Sequence, residues 1–184
     1  DEELAILEPL RGQIPDEVFT TVYQAPTTLG DGRNRSQLRQ AMGLLKEAGW
    51  TLKAGTLLNE KGDPFTFEIL LVQKDFERVV APFIRNLERI GMDVSIRIVD
   101  VSQYINRLRA YDFDMIVGSF GQSSSPGNEQ REYWGSEAAN QPGSRNVIGI
   151  KDPAIDQLVE SLIQAPNREQ LVLHARALDR VLQW

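Results

Sequence analysis

Apolar positions recur at helical spacing between Ser36 and Ala48, where Leu38, Ala41, Leu44, Leu45 and Ala48 share one face. Asn34 or Ser36 can cap the start of this helix, and Gly49 stands where a left-handed C′ residue is wanted. Trp50 follows, placed to pack back on the helix end. Leu57–Pro64 reads as one arm and the turn of a hairpin, with Gly62-Asp63-Pro64 supplying the turn chemistry. Phe65–Leu71 alternates apolar and polar positions and predicts a strand. Asp75–Ile90 returns to helical spacing, with Phe76, Val79, Val80, Phe83, Leu87 and Ile90 on one face. Pro82 lies inside it and predicts a kink or a start near Val79, because an interior proline removes a hydrogen bond at about 3 kcal/mol. Gly91 closes that helix, Val94, Ile96 and Ile98 alternate as a second strand, and Ser102 can cap a short helix through Ala110 with Ile105 and Leu108 inward. A third strand follows at Phe113–Val117.

Two further helices are predicted near the end. Asp152 caps the first, with Pro153 at N1 and Ile155, Leu158, Val159, Leu162 and Ile163 inward. After Ala165-Pro166, Asn167 caps the second, with Leu171, Leu178, Val181 and Leu182 inward. At the other end, Asp1–Leu10 reads as a short helix closed by Pro9 and Gly12, Asp16–Thr28 as a linker, and Gly30-Asp31-Gly32 as a flexible joint. The middle of the chain thus runs strand–helix–strand–helix–strand, the order of parallel β-α-β units, so the fold class is α/β with helices flanking a mixed, mostly parallel sheet. Ligands of such sheets bind beyond the carboxyl ends of the strands.

One of those ends is unusual. The Phe113–Val117 strand opens into Gly118-Ser119-Phe120-Gly121-Gln122-Ser123-Ser124-Ser125-Pro126-Gly127-Asn128-Glu129. Val and Ile favour buried pleated backbone, whereas Gly, Ser, Pro and Asn favour irregular backbone with local hydrogen bonds. Long loops in a folded domain are functional or disordered. Phe120, Tyr133 and Trp134 argue against disorder, because disordered segments are poor in aromatics.

Size and charge narrow the classes. A chain of 184 residues can bury about 70% of the surface its unfolded form exposes. The net charge of −6, with no basic run, argues against a nucleic-acid partner. No apolar stretch approaches the roughly 18 residues needed to cross a bilayer, and the absence of cysteine removes disulfides and thiolate metal sites. The first residues lack an initiator Met and the features of a signal peptide, and the last ones stop within a helical pattern; the chain reads as a piece of something longer.

Catalytic chemistry finds little support. His174 is the single histidine and sits on an apolar helix face, without partners for a metal site or a triad. Gly118-Ser119-Phe120-Gly121 does not meet the nucleophile-elbow pattern, and the loop glycines make neither a dinucleotide fingerprint nor a P-loop. Asn34-Arg35-Ser36 fits a glycosylation acceptor only as a short chance-prone match. Asp112 and Asp114 point to one side of the third strand; they are either a carboxylate pair or a solvated strand edge. Glu129, Arg131 and Glu132 are either ligand contacts or an exposed helical turn whose ion pair is worth little. What survives is a loop of hydroxyls, amides and aromatics, which suits ligand binding. The expectation is a non-catalytic binding lobe without cofactor or metal, its cleft face carrying Ser119, Phe120, Gln122, Ser123, Asn128, Glu129 and Asn146, with Arg131 and Arg145 available for a ligand carboxylate. The alternatives are a parallel-sheet hydrolase or transferase using Asp112 or Asp114 as base, and a structural scaffold.

Several motifs together resemble a known family. Ala41-Met42-Gly43-Leu44-Leu45-Lys46-Glu47-Ala48-Gly49-Trp50 resembles the A-x-x-L-L-x-E-A-G-aromatic helix of family 5 extracellular solute-binding proteins, the peptide-type receptors of bacterial ABC importers. Gly62-Asp63-Pro64-Phe65, Leu87-Glu88-Arg89-Ile90-Gly91-Met92 and Tyr111-Asp112-Phe113-Asp114-Met115 continue the likeness over most of Arg33–Trp184. Glu3–Leu10, Ser125–Gln130, Tyr133–Ser136 and Pro142–Asn146 are similar to the microcin C and oligopeptide-binding branch. The resemblance implies a periplasmic-binding-protein-like (type II) fold, with residues 1–32 as an inter-lobe segment and 33–184 as most of a C-terminal ligand-binding lobe. It also implies a monomeric receptor, periplasmic or lipid-anchored, that closes with its N-terminal lobe on a peptide or modified peptide and presents it to a membrane permease; half a cleft alone would bind weakly.

The chain departs from that pattern at one place. In dipeptide and oligopeptide receptors the strand is followed by Gly-Trp-x-Gly-Asp, whose Asp pairs with the peptide amino terminus; here Ser119 stands for the Trp and Gln122 for the Asp. A neutral amide does not replace a carboxylate against an ammonium, since charge-assisted bonds are about twice as strong as neutral ones. Gln122→Asp is therefore expected to shift preference towards free-amine peptides; unchanged selectivity by calorimetry counts against that role.

Overall fold

A computed structural model describes residues 2–30, 32 and 34–184. Asp1, Asp31 and Arg33 lie outside the described residues, and with them the first residue of the expected N-terminal helix and the middle of the Gly30–Gly32 joint. The chain divides into two units: residues up to 25 with 109–111 and 119–184, and residues 26–108 with 112–118. No helix among the described residues is long and apolar enough to cross a membrane.

The first unit is helical. It contains α1 (Glu2–Leu7), α2 (Glu17–Thr20), α6 (Glu129–Trp134), α7 (Pro153–Ile163) and α8 (Arg168–Leu182). Both terminal helices start as the caps predict. The Asp152 side chain accepts from Ala154 N at 2.7 Å and Ile155 N at 3.4 Å, and Asn167 accepts from Gln170 N at 2.9 Å. Leu158, Val159 and Leu162 of α7 pack against Ala177, Leu178 and Val181 of α8. Leu7, Leu10, Ile14 and Val18 complete this core, so residues 1–32, expected as an inter-lobe segment, contribute four buried side chains, Val18 among them from the stretch read as linker. Arg180 Nε donates to Val18 O at 2.7 Å and ties that segment to α8.

The second unit carries the sheet. It holds α3 (Arg35–Glu47), a hairpin of β1 (Thr51–Lys53) and β2 (Thr56–Leu58), then β3 (Thr66–Leu71), α4 (Glu77–Glu88), β4 (Asp93–Ile98), most of α5 (Val101–Arg109) and β5 (Met115–Ile116). The strand order is β4-β3-β5, both pairs parallel, with Ile69 opposite Ile96 on one side and Met115 on the other. Antiparallel pairing among the described residues is found in an isolated bridge between Leu58 and Pro64 and in the separate hairpin. Its first arm carries no alternation, and the sequence shows only the second. Ile69 and Leu71 face Val80 and Ile84 of α4. Glu68, one residue out of phase, points the other way and takes Arg107 Nη1 of α5 at 3.0 Å and Arg97 Nε of β4. Burial pushes the Glu68 carboxyl up, but its bonds to Arg97 and Arg107 outweigh this and hold it below the usual carboxylate range. α4 and α5 therefore cover opposite faces, which makes the carboxyl ends of β3 and β5 the topological switch point of the unit.

Several helix expectations change. Asn34 makes no side-chain cap bond at the start of α3, and Ser36 bonds Gln37 instead. Ser102 lies inside α5, where Asp100 Oδ1 is the acceptor from Gln103 N at 2.9 Å. The inward face of α4 is Val80 and Ile84 with half-buried Leu87, while Val79 and Phe83 are 55% and 45% exposed. With apolar residues at six positions, periodicity alone leaves the facing direction open by about one residue. Pro82 sits within α4 on its exposed side, where water can serve the carbonyl that loses its partner.

Gly49 and Gly91 both adopt left-handed backbone, at φ +89° and +85°. At Gly49 the chain makes the paired C-terminal bonds of a Schellman motif, Trp50 N to Leu45 O at 2.9 Å and Gly49 N to Lys46 O at 3.1 Å. Trp50 then packs against Phe65, the rings tilted by 50° with their centres 4.5 Å apart. Gly91 meets the hairpin: its carbonyl accepts from Leu57 N at 2.7 Å, and an added Cβ would lie 2.8 Å from that nitrogen. Gly49→Ala is expected to cost about 1–2 kcal/mol, the left-handed penalty alone. Gly91→Ala is expected to cost roughly 1–3 kcal/mol more through the backbone clash. Urea midpoints of the two variants check the ranking.

Candidate ligand-binding site

The long loop leaves β5 at Gly118 and enters the first unit at Ser119. Having no ladder, its backbone is held by side chains. Tyr133 OH donates to Gly121 O at 3.1 Å. Arg168, at the start of α8, donates through Nη1 to Ser124 O and, at 3.3 Å, to Ser125 Oγ. Ser123 Oγ accepts from Ser125 N at 3.1 Å. Glu129 Oε1 accepts from Gly127 N at 2.8 Å and from Gln130 Nε2 at 3.1 Å. Hydrogen bonds from the Gly127 and Glu129 backbone, then from Gln130, hold the Glu129 carboxyl below its ordinary range. Phe120 anchors the loop in an aromatic cluster, 5.4 Å from Tyr133 and 4.7 Å from Trp134 between ring centres.

Beside this loop runs a groove of about 430 Å³. One wall is the loop and α6, with Gln122, Ser123, Ser124, Pro126, Gln130 and Trp134. The other is α7 and α8, with Leu162, Leu171, Val172, Ala175, Leu178 and Leu182. Leu171 and Leu182, expected inward with the rest of the α8 face, are half-buried because they floor this groove. Arg168, Arg176 and Asp179 add charge at its edge. An apolar floor beside a polar wall takes a ligand with both kinds of surface.

The expected site residues separate into three groups. Gln122 and Ser123 line the groove. Ser119 is exposed at the loop's start, Phe120 is half-buried in the aromatic cluster, and Arg145 is exposed with its guanidinium 4.6 Å above the Tyr133 ring. Glu129, Asn128, Arg131 and Asn146 brace the structure. Arg131 forms a fork with Glu160, Nη2 to Oε2 at 2.7 Å, and donates to Asn128 Oδ1 at 2.7 Å; it is the helical turn with an ion pair, not an available anion receptor. Asn146 is a correction to the cleft face: it is wholly buried, donates to Gly135 O at 3.0 Å and Ile150 O at 2.9 Å, and accepts from Ile150 N at 3.0 Å. A polar residue followed by Val and Ile carries no sequence sign of which it is.

Sequence reading missed Gln130, Trp134 as a groove residue, and Arg168. Gln130 and Trp134 are four apart on α6, a spacing that would have placed them on one face. Arg168 lies more than 40 positions from the loop it holds, which no local pattern reveals. The carboxylates of the alternative reading are occupied: Asp112 pairs with Arg107 Nε at 3.0 Å, and Asp114 Oδ2 accepts from Glu68 N at 2.9 Å. His174 is half-buried within α8, as a packed helix histidine would be.

Comparison with known proteins bears on what the groove serves. The chain is 46% identical over 181 residues to the "Probable peptide-binding protein YejA" of Agrobacterium fabrum, covering 98% of this chain and 30% of that protein. The chain thus spans about 30% of the length of the curated relatives it matches. The oligopeptide-binding protein AppA of Bacillus subtilis, solved with a nonapeptide, superimposes with a TM-score of 0.65 at 22% identity, covering all of this chain and 36% of that one. The periplasmic oligopeptide-binding protein of an ABC transporter of Thermotoga maritima superimposes with a TM-score of 0.72 at 20% identity, covering 94% and 32%. At these identities the two structures establish the fold, that of periplasmic binding proteins. Residues 12–142 match the bacterial extracellular solute-binding proteins, family 5 Middle, and across most of its length this chain belongs to that family.

Proposed function

We propose that this chain forms a ligand-binding lobe of a receptor that captures peptides or modified peptides for an ABC importer. The observation that carries the reading is the groove: a braced loop of amides and hydroxyls faces an apolar helix wall, a surface suited to peptide backbone and side chain together. Family membership supports a solute-binding, non-enzymatic role, and the peptide-binding name of the Agrobacterium relative and the nonapeptide of the Bacillus structure support peptides as the class. In this reading Gln122 and Ser123 touch the ligand, with Ser119, Phe120 and Arg145 at the margins. A second lobe of the same receptor closes over the ligand, a permease in the inner membrane receives it, and the receptor works as a monomer in the periplasm or on a lipid anchor. The motifs similar to the microcin C and oligopeptide-binding branch support this reading.

Native mass spectrometry of the intact receptor, recovered from its own cells without denaturation, is expected to show peptide-sized adducts. A bare protein that turns over added peptides or esters would overturn the reading. Two variants separate contact from brace. Gln122→Ala is expected to weaken peptide binding about tenfold with little change in thermal midpoint, the cost of one ligand hydrogen bond. Asn146→Ala is expected to lower stability by roughly 1–3 kcal/mol, because it orphans the Gly135 and Ile150 backbone groups. Scanning calorimetry beside binding calorimetry tells them apart.

Acid acts on the loop through Glu129. Its carboxyl is depressed in the folded state, so it stabilises the fold above the unfolded value and loses this as pH falls through the folded one. The stability difference between the natural protein and Glu129→Gln is expected to be constant around neutrality and to shrink once pH drops below 4.5. Thermal melts across that range check the sign.

A further inference from the structure

Gln122 is not free to choose how it meets a ligand. Its Oε1 accepts from Gln130 Nε2 at 2.7 Å, and its Nε2 donates to Gln130 Oε1 at 3.4 Å, an amide face to face with an amide. Gln130 is 3% exposed, and both ends of its own amide are fixed from behind. Trp134 Nε1 donates to Gln130 Oε1 at 3.0 Å, and Glu129 Oε1 accepts from Gln130 Nε2 at 3.1 Å. An indole N–H can only donate and a carboxylate can only accept. Turning the Gln130 amide over would set donor against donor at Trp134 and acceptor against acceptor at Glu129. Its polarity therefore has one permitted sense, and the paired Gln122 inherits it.

We infer that Gln130 is a specificity-determining positioning residue: locked between Trp134 and Glu129, it fixes the Gln122 amide so that one N–H and one oxygen lone pair remain for the ligand, and this pair selects neutral amide groups over charged peptide ends. The inference rests on the peptide-receptor reading and extends it to ligand class. A peptide bond or an acylated amino end offers both a carbonyl and an N–H, and so satisfies both halves of Gln122. An ammonium has donors only and leaves the Gln122 N–H without a partner; a carboxylate has acceptors only and leaves the lone pair idle. Gln122 and Gln130 both line the groove, so this selection acts at the wall where the ligand lies. Gln130 offers the groove only 3% of its surface, so its influence passes through Gln122.

The test compares one peptide with its amino end free and acetylated, titrated calorimetrically into the intact receptor. The expected preference for the acetylated form is about tenfold, the weight of one unpaired polar group. Gln130→Met keeps the length of the side chain and removes the amide; it is expected to bring the two peptides near parity, with no further effect in a Gln122→Ala background. Trp134→Phe is the milder variant, removing only the N–H that sets the sense, and is expected to erode the same preference without loss of fold. If either variant weakens both peptides equally, with or without Gln122, Gln130 is merely structural and the inference falls. Should no peptide bind at all, the receptor reading fails, and the side-chain amide resonances of Gln122 decide this point alone. They are expected to shift in Trp134→Phe; an unchanged amide spectrum overturns it.

Discussion

The structure depends on one constraint, that a long irregular backbone folded against a core must find partners for its polar groups. Between Gly118 and Asn128 no strand ladder supplies them, so side chains do. Tyr133, Glu129 and Arg168 hold carbonyls and amides of the loop, and Asn146 does the same for the turn at Gly135 and Ile150. Much of the polar chemistry that looks like ligand chemistry is spent on this. What remains outward is a narrow set of groups, Gln122 and Ser123 foremost, against the apolar wall of α7 and α8.

That division explains which parts of the molecule could be read from the chain. Helix starts are local: Asp152 and Asn167 announce themselves because a cap needs only its next three residues. The left-handed Gly49 and the order of parallel units are local or nearly so. The inward faces of α7 and the strand directions followed, and so did the placing of the loop at a strand end. The family likeness was carried by motifs in which these same local features recur.

What was not legible depends on distance along the chain or on a choice between equal partners. Arg131 finds Glu160 on a different helix, and Arg168 finds a carbonyl at Ser124. Asn146 and Asn128 are both asparagines in polar surroundings, yet one is wholly buried and the other exposed. Residue type proposes hydrogen bonding and only the fold assigns the partner. Val79 and Phe83 make the same point for apolar residues, since a helix rich in them can turn more than one face inward.

The first unit draws its core from the two ends of the sequence. Leu7, Leu10, Ile14 and Val18 pack with side chains from Ala154 to Val181, while the sheet unit is almost continuous between residues 26 and 118. Contacts between distant residues carry a larger loop-closure entropy and form more slowly than local ones. The sheet unit can therefore condense first, and its folding brings the flanking segments close enough for α1 to find α8. Until then the apolar stripe of α1 has no cover. A chain that stalls before α1 docks therefore exposes the apolar faces that α1 and α8 bury against each other, and with them a surface prone to aggregation.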